Sequence, residues 1–161
     1  MFRKMRRIRQ QLTPAESIEI LERNTAGVLA VSGDGGYPYA VPLSYVYAGG
    51  RLFFHCAKSG HKLDGILRNS NVSFCVVDQD QVVPAEYTTY FRSVIVFGRA
   101  RILEDAGEKE DALLLLAKKY YPDDAPGNRQ NVLETDGPRL YMVEITAEHI
   151  TGKAAKELIR K

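Results

Sequence analysis

The stretch Gly27-Val28-Leu29-Ala30-Val31-Ser32-Gly33-Asp34-Gly35-Gly36-Tyr37-Pro38-Tyr39-Ala40-Val41-Pro42-Leu43-Ser44-Tyr45-Val46-Tyr47-Ala48-Gly49-Gly50-Arg51-Leu52-Phe53-Phe54-His55-Cys56 decides the fold class. Three runs rich in β-branched and aromatic residues, 27–32, 37–47 and 51–56, are joined by two glycine-rich connections. Glycine supplies the positive φ that tight hairpins need, so the pattern predicts an antiparallel meander. Pro38 and Pro42 cannot donate to a sheet ladder, which puts the middle strand at an edge or at a bulge.

Working outward, Thr13-Pro14-Ala15-Glu16 combines a capping hydroxyl, a proline at the first helical position and a glutamate three residues after the cap. Those features predict a helix running to about Asn24. Leu63, Ile66 and Leu67, spaced i, i+3, i+4, mark a second helix ending near residues 69–71, and Leu113, Leu116, Ala117 and Tyr120 mark a third, stopped by Pro122. Further strands are predicted over 72–78, 92–103 and 139–150, with 79–90, which contains Pro84, read as a loop or irregular edge. Strands and helices do not alternate strictly, so the expected class is α+β, mostly β: one antiparallel barrel of six strands with flanking helices.

The length of 161 residues suits one domain, read as 1–161 with a basic arm at 1–11 and a charged tail at 151–161. Hydrophobic residues make up 45% and charged residues 26%, as in ordinary globular proteins. Cys56 and Cys75 both lie in apolar runs, which excludes a disulfide scaffold, and no apolar stretch approaches bilayer length. The basic N-terminus lacks the apolar core of a signal peptide, so a cytoplasmic location is expected. Five of the 22 basic residues, Arg3, Lys4, Arg6, Arg7 and Arg9, precede residue 10 and leave the rest of the chain net acidic. A cluster this short reads as a solvated arm rather than a nucleic-acid surface.

The most informative chemistry lies at Phe54-His55-Cys56-Ala57-Lys58-Ser59-Gly60-His61-Lys62-Leu63-Asp64, a strand that turns directly into a helix. Free N–H groups and the helix dipole attract anions at a helix start, and Lys58, His61 and Lys62 add cations there. A phosphate monoester suits such a site; solvated lysines beside a turn-easing glycine are the plainer reading, and spacing alone does not choose between them. No GxGxxG or Walker fingerprint is present. The three histidines and two cysteines have no zinc spacing, so no metal is expected. Ser32 lacks a nucleophile-elbow pattern and no carboxylate pair stands out, so no catalytic residue is assigned and any chemistry falls to a cofactor.

Several segments together resemble a known family: 35–45, Phe54-His55-Cys56-Ala57 with Gly60-His61-Lys62-Leu63, Val72-Ser73-Phe74, and Arg92-Ser93-Val94 with Val96-Phe97-Gly98. Over residues 12–150 the chain resembles the FMN-binding split barrels related to pyridoxamine 5′-phosphate oxidase, in particular the nitroimidazole-resistance branch. The resemblance implies a six-stranded Greek-key split barrel that forms a homodimer with FMN at the interface. It implies that Val41, Pro42, Leu43 and Ser44 border the isoalloxazine, that His55, Cys56 and Ala57 line the ribityl side, and that Lys58, His61 and Lys62 face the phosphate. Arg92 and Ser93 are further candidate contacts from the barrel or across the dimer. FAD, a deazaflavin or haem are the alternative cofactors. The implied activity is reduction of a small, electron-poor, nitroaromatic-like substrate, the alternative being a flavin- or haem-binding carrier or sensor without turnover. The C-terminal arginine-rich motif of the true oxidases is not evident in 137–161, which disfavours that activity.

Overall fold

A glycine at positive φ lets a two-residue turn match the twist of its strands. Gly49 and Gly50 adopt φ of 56° and 81°, closing a hairpin between β3 (Val46–Ala48) and β4 (Arg51–Ala57). Gly35 and Gly36, at 61° and 82°, lie in the longer connection 33–37 between β1 (Ala26–Ser32) and β2 (Pro38–Ser44). The computed structural model describes residues 1–159; Arg160 and Lys161, the end of the stretch read as a tail, lie outside them.

The sheet is antiparallel throughout, with strand order β2-β1-β5-β6-β7-β4-β3, where β5 is Asn71–Val83, β6 Thr88–Ile102 and β7 Leu140–Ala154. It has seven strands, not the expected six, because the run 37–47 divides at Tyr45. That division also corrects the meander. β2 pairs with β1 and β3 pairs with β4, so two strands separated by one residue occupy opposite edges of the same sheet. The sheet must therefore curl until its edges meet at Tyr45. β2 is an edge strand, as its prolines require, with Pro42 opposite Val28.

Tyr45 is buried, and its hydroxyl donates to the Leu21 carbonyl (2.8 Å). The Tyr45 N–H donates in turn to the hydroxyl of Tyr120 (3.0 Å), which also donates to the Thr25 carbonyl. A buried backbone group at the end of a ladder needs partners, and the phenol supplies the shorter one where the chain changes edges, the Thr25 carbonyl accepting from the same N–H at 3.4 Å.

The interior is filled by the inward residues of the strands, among them Leu29, Leu52, Phe54, Phe74, Val96 and Ile145. Helix α1 (Pro14–Arg23) carries the predicted capping box, Glu16 N–H donating to Thr13 Oγ1 (3.2 Å) and Thr13 N–H to Glu16 Oε2 (2.8 Å). It buries Ile20 and Leu21 in the core. Helix α2 is His61–Arg68; its Leu63, Gly65 and Ile66 are buried, while Leu67 of the predicted stripe is exposed.

Two stretches depart from expectation. The supposed loop 79–90 is the outer part of a long hairpin, with β5 and β6 paired from Asn71↔Arg99 to Val83↔Thr88 and Pro84 in the turn. Beyond α3 (Ala106–Tyr120), a fourth helix, α4 (Pro126–Asp136), follows where no helix was predicted. β7 also runs past Ile150 to Ala154, which is fully buried, so its last residues belong to the sheet rather than to a tail. No helix among the described residues is long and apolar enough to cross a membrane.

Candidate functional site

Strand β4 alternates, as any strand must, and the alternation sorts the expected site residues. Leu52, Phe54 and Cys56 point into the core, whereas His55, Ala57 and then Lys58 are exposed. Cys56 therefore presents its thiol to the interior, where burial pushes the pKa up against the opposing pull of the Lys62 charge. On β2 the same rule holds: Val41 and Leu43 pack against the core, and Pro42 and Ser44 are exposed.

After Ala57 the chain turns through Lys58-Ser59-Gly60 into α2. Gly60 holds φ at 133°, a conformation that favours glycine, and a Cβ there would meet nothing within 4 Å. No side chain caps the helix. The space before its first N–H groups is open, and the dipole makes it positive.

The three cations at this end are not equivalent. Lys58 lies over the Tyr141 ring (5.5 Å), and among the described residues neither it nor Lys62 has an ion pair or hydrogen bond. His61 is engaged elsewhere: its ring packs on Tyr39 (centroids 4.1 Å apart), and its Nε2 accepts from the Asp34 N–H (3.3 Å). Asp34 is held below the usual carboxylate range, chiefly by its hydrogen bond from Arg68. The histidine thus braces the β1–β2 turn against α2, leaving the two lysines free to meet an anion.

Ser44 and His55 line a cavity of about 400 Å³ between the sheet and α3–α4. Leu113, Leu116, Ala117 and Tyr120, the whole predicted α3 stripe, line it, and Leu116 alone of them is buried. A larger groove of about 610 Å³ lies beneath Phe2, between β1, β5 and β6, and none of the expected site residues lines it. Arg92 is committed to a charge cluster: its guanidinium is 3.5 Å from Asp78, which Arg23 also clasps at 2.6 Å. Ser93 stands opposite Val77 and Lys153. Ser44 and His55 thus share one cavity, residues 58–60 turn the chain from β4 into α2, and Arg92 and Ser93 lie on the central hairpin.

Sequence reasoning missed the α4 wall, although Pro126 after Ala125 repeats the proline-at-helix-start signal of residue 14. It also missed Gly65, which lets α2 lie directly on β1. A Cβ at that glycine would sit 2.6 Å from Val31 Cγ2 and 2.8 Å from the Ser32 carbonyl oxygen. Gly65→Val is expected to lift α2, costing about 2 kcal/mol by overpacking, with a lower midpoint in urea denaturation as the check.

A curled antiparallel sheet with helices packed outside it and an open, cationic helix start after β4 defines a class of small split-barrel-like domains. The family model described as pyridoxamine 5′-phosphate oxidase matches residues 13–154, and the chain belongs to that family. No curated protein matches it significantly. Among solved structures, a conserved hypothetical protein from Mycobacterium tuberculosis aligns with a TM-score of 0.80 at 19% identity, covering 98% of this chain and 95% of that one. A candidate 5-nitroimidazole antibiotic resistance protein from Bacteroides thetaiotaomicron gives 0.74 at 22% identity, covering 89% and 86%. A FAD-binding protein from Mesorhizobium loti gives 0.65 at 25%, covering 90% and 96%.

Proposed function

We propose that this chain is a cytoplasmic flavoprotein that binds FMN and reduces a small, electron-poor, nitroaromatic-like substrate. The observation that carries the reading is the start of α2, uncapped and open at Gly60, with Lys58 and Lys62 in no ion pair or hydrogen bond among the described residues. An FMN phosphate fits that charge and that opening. Ala57 and His55 are exposed on the strand that leads into this turn, and His55 shares a cavity with Ser44 of the edge strand β2, which suits the ribityl chain and then the flat ring. Family membership and the FAD-binding neighbour support a flavin.

When bound, the flavin supplies the redox chemistry. The chain's own residues anchor the phosphate through Lys58, Lys62 and the helix start, orient the ring against β2, and exclude water with the apolar walls beyond His55. The curled sheet is read as the family's Greek-key split barrel. A homodimer is part of the proposal: Val28, Val77, Ile95 and Phe97 are exposed on adjacent strands, with Val28 opposite Cys75 and Cys75 opposite Ile95. An apolar sheet face of this kind is ordinarily covered by a partner.

The test is titration of the purified protein with FMN, followed by flavin absorbance and fluorescence. Saturable binding of one FMN per chain is expected; protein that takes up no flavin at excess FMN sinks the proposal. A non-catalytic flavin or haem carrier is the second reading, favoured by one neighbour, a FAD and heme binding protein from Mycobacterium smegmatis (TM-score 0.71, 17% identity, covering 91% of this chain and 73% of that one). Tight flavin binding without turnover above free FMN would decide for it.

A further inference from the structure

We infer that the cavity between β4 and the α3–α4 pair is the seat of an uncharged, flat, apolar substrate, and that α3 and α4 set its specificity. The inference rests on the flavin reading in one respect, that Ser44 and His55 border the ring. Both residues also line this cavity, so it adjoins the place where the ring would lie.

Size and lining carry the rest. A volume of about 400 Å³ falls within the range of small-molecule sites. Leu113 and Ala117 of α3, Val132 and Leu133 of α4 and Leu140 of β7 make the walls apolar. The placement of the stripe is informative in itself. An apolar helix face normally packs into the core, yet Leu113, Ala117 and Tyr120 are not fully buried.

The charges select against anions. His55 and Asp136 are the ionisable side chains at the cavity apart from Tyr120. The phenol of Tyr120 is engaged with Thr25 and Tyr45, and Asp136 puts an exposed carboxylate at the rim, 4.0 Å from the Arg139 guanidinium. Lys109, close behind the wall, turns its ammonium onto the carbonyls of Gly137 (2.6 Å) and Leu140 (2.9 Å). An anionic substrate would shed its hydration facing a carboxylate, with no lysine or arginine lining the cavity to compensate. Pyridoxamine 5′-phosphate, whose name the family carries, is such an anion.

The test compares 1-nitronaphthalene with 4-nitro-1-naphthoate, neutral and anionic forms of one flat chromophore, by equilibrium dialysis against the full chain with and without FMN. Ala117→Phe fills the cavity. Val132→Asp, at a position 46% exposed and so tolerant of change, makes it polar. Wild type is expected to bind 1-nitronaphthalene at least tenfold tighter than the naphthoate. Each variant should lose roughly tenfold in 1-nitronaphthalene affinity, with FMN affinity unchanged within about twofold. The inference is overturned if wild type does not prefer the neutral probe, or if both variants bind it like wild type. It is equally overturned if FMN affinity falls in parallel, since the cavity would then be the ring's own seat. Failure of the flavin reading would look different: FMN would not bind wild type, while the probe still bound the FMN-free chain and was lost in both variants.

Discussion

Lys62→Ala is expected to weaken FMN binding by roughly tenfold to a hundredfold and to leave riboflavin binding unchanged. A charge-assisted contact to a phosphate is worth about 1.5–3 kcal/mol, which sets that range. Lys62 stands in the first turn of α2, half-buried, close enough to Cys56 for its charge to act on the thiol, and without an ion pair of its own. Among the described residues its removal breaks no hydrogen bond or ion pair, so the fold should be preserved. Riboflavin lacks the phosphate and serves as the control. Fluorescence titration of both ligands against both proteins checks the claim, and an equal loss for riboflavin would show that the lysine acts through the fold. His61→Ala would be a poorer probe, because His61 braces the turn at Asp34.

Asp78→Ala is expected to cost about 3 kcal/mol at neutral pH. The Asp78 side chain is only 8% exposed. Arg23 grips both its oxygens, at 2.8 and 2.6 Å, Asn24 Nδ2 donates at 2.9 Å, and Arg92 stands 3.5 Å away. Burial alone would push its pKa up, but the donors from Arg23 and Asn24 and the charges of Arg23 and Arg92 outweigh it and hold the carboxyl below its ordinary value. A depressed folded-state pKa means the stabilisation is complete above the unfolded value of about 3.9 and is lost as pH falls through the folded one. Urea denaturation should therefore give a constant gap between wild type and variant from pH 7 to about pH 5, narrowing below about pH 4. A gap as wide at pH 3 as at pH 7 would rule out the ionised carboxylate as its source.

What could be read from the sequence was what local chemistry decides. The glycine turns, the capping box at Thr13 and the edge character imposed by Pro42 all appear where expected. The break at Tyr45 does not announce itself, since Ser44-Tyr45-Val46-Tyr47 is continuous in β propensity. It comes from pairing on opposite edges and from a phenol 75 residues away. The outer part of the β5–β6 hairpin was hidden because Gln79-Asp80-Gln81 is polar on a strand with little to bury, and Pro84 resembled a breaker when it marks the turn. α4 was hidden by Gly127, Asn128 and Asn131, poor helix formers on a short helix. At the candidate site, the cation cluster and helix start were legible, but the division of labour among them was not: only three-dimensional contacts reveal that His61 is engaged with Tyr39 and Asp34.

The central position of β7 also bears on how the protein is made. β7 lies between β6 and β4, so neither of those strands has its second neighbour until residues 140–154 leave the ribosome. Until then His55 and Ala57, which stand opposite Met142 and Leu140, lie on a strand held only by the three-residue β3. Pairings of such long range form late. A nascent chain therefore carries His55 and Ala57 on an unfinished part of the sheet until residues 140–154 have emerged and paired with β4.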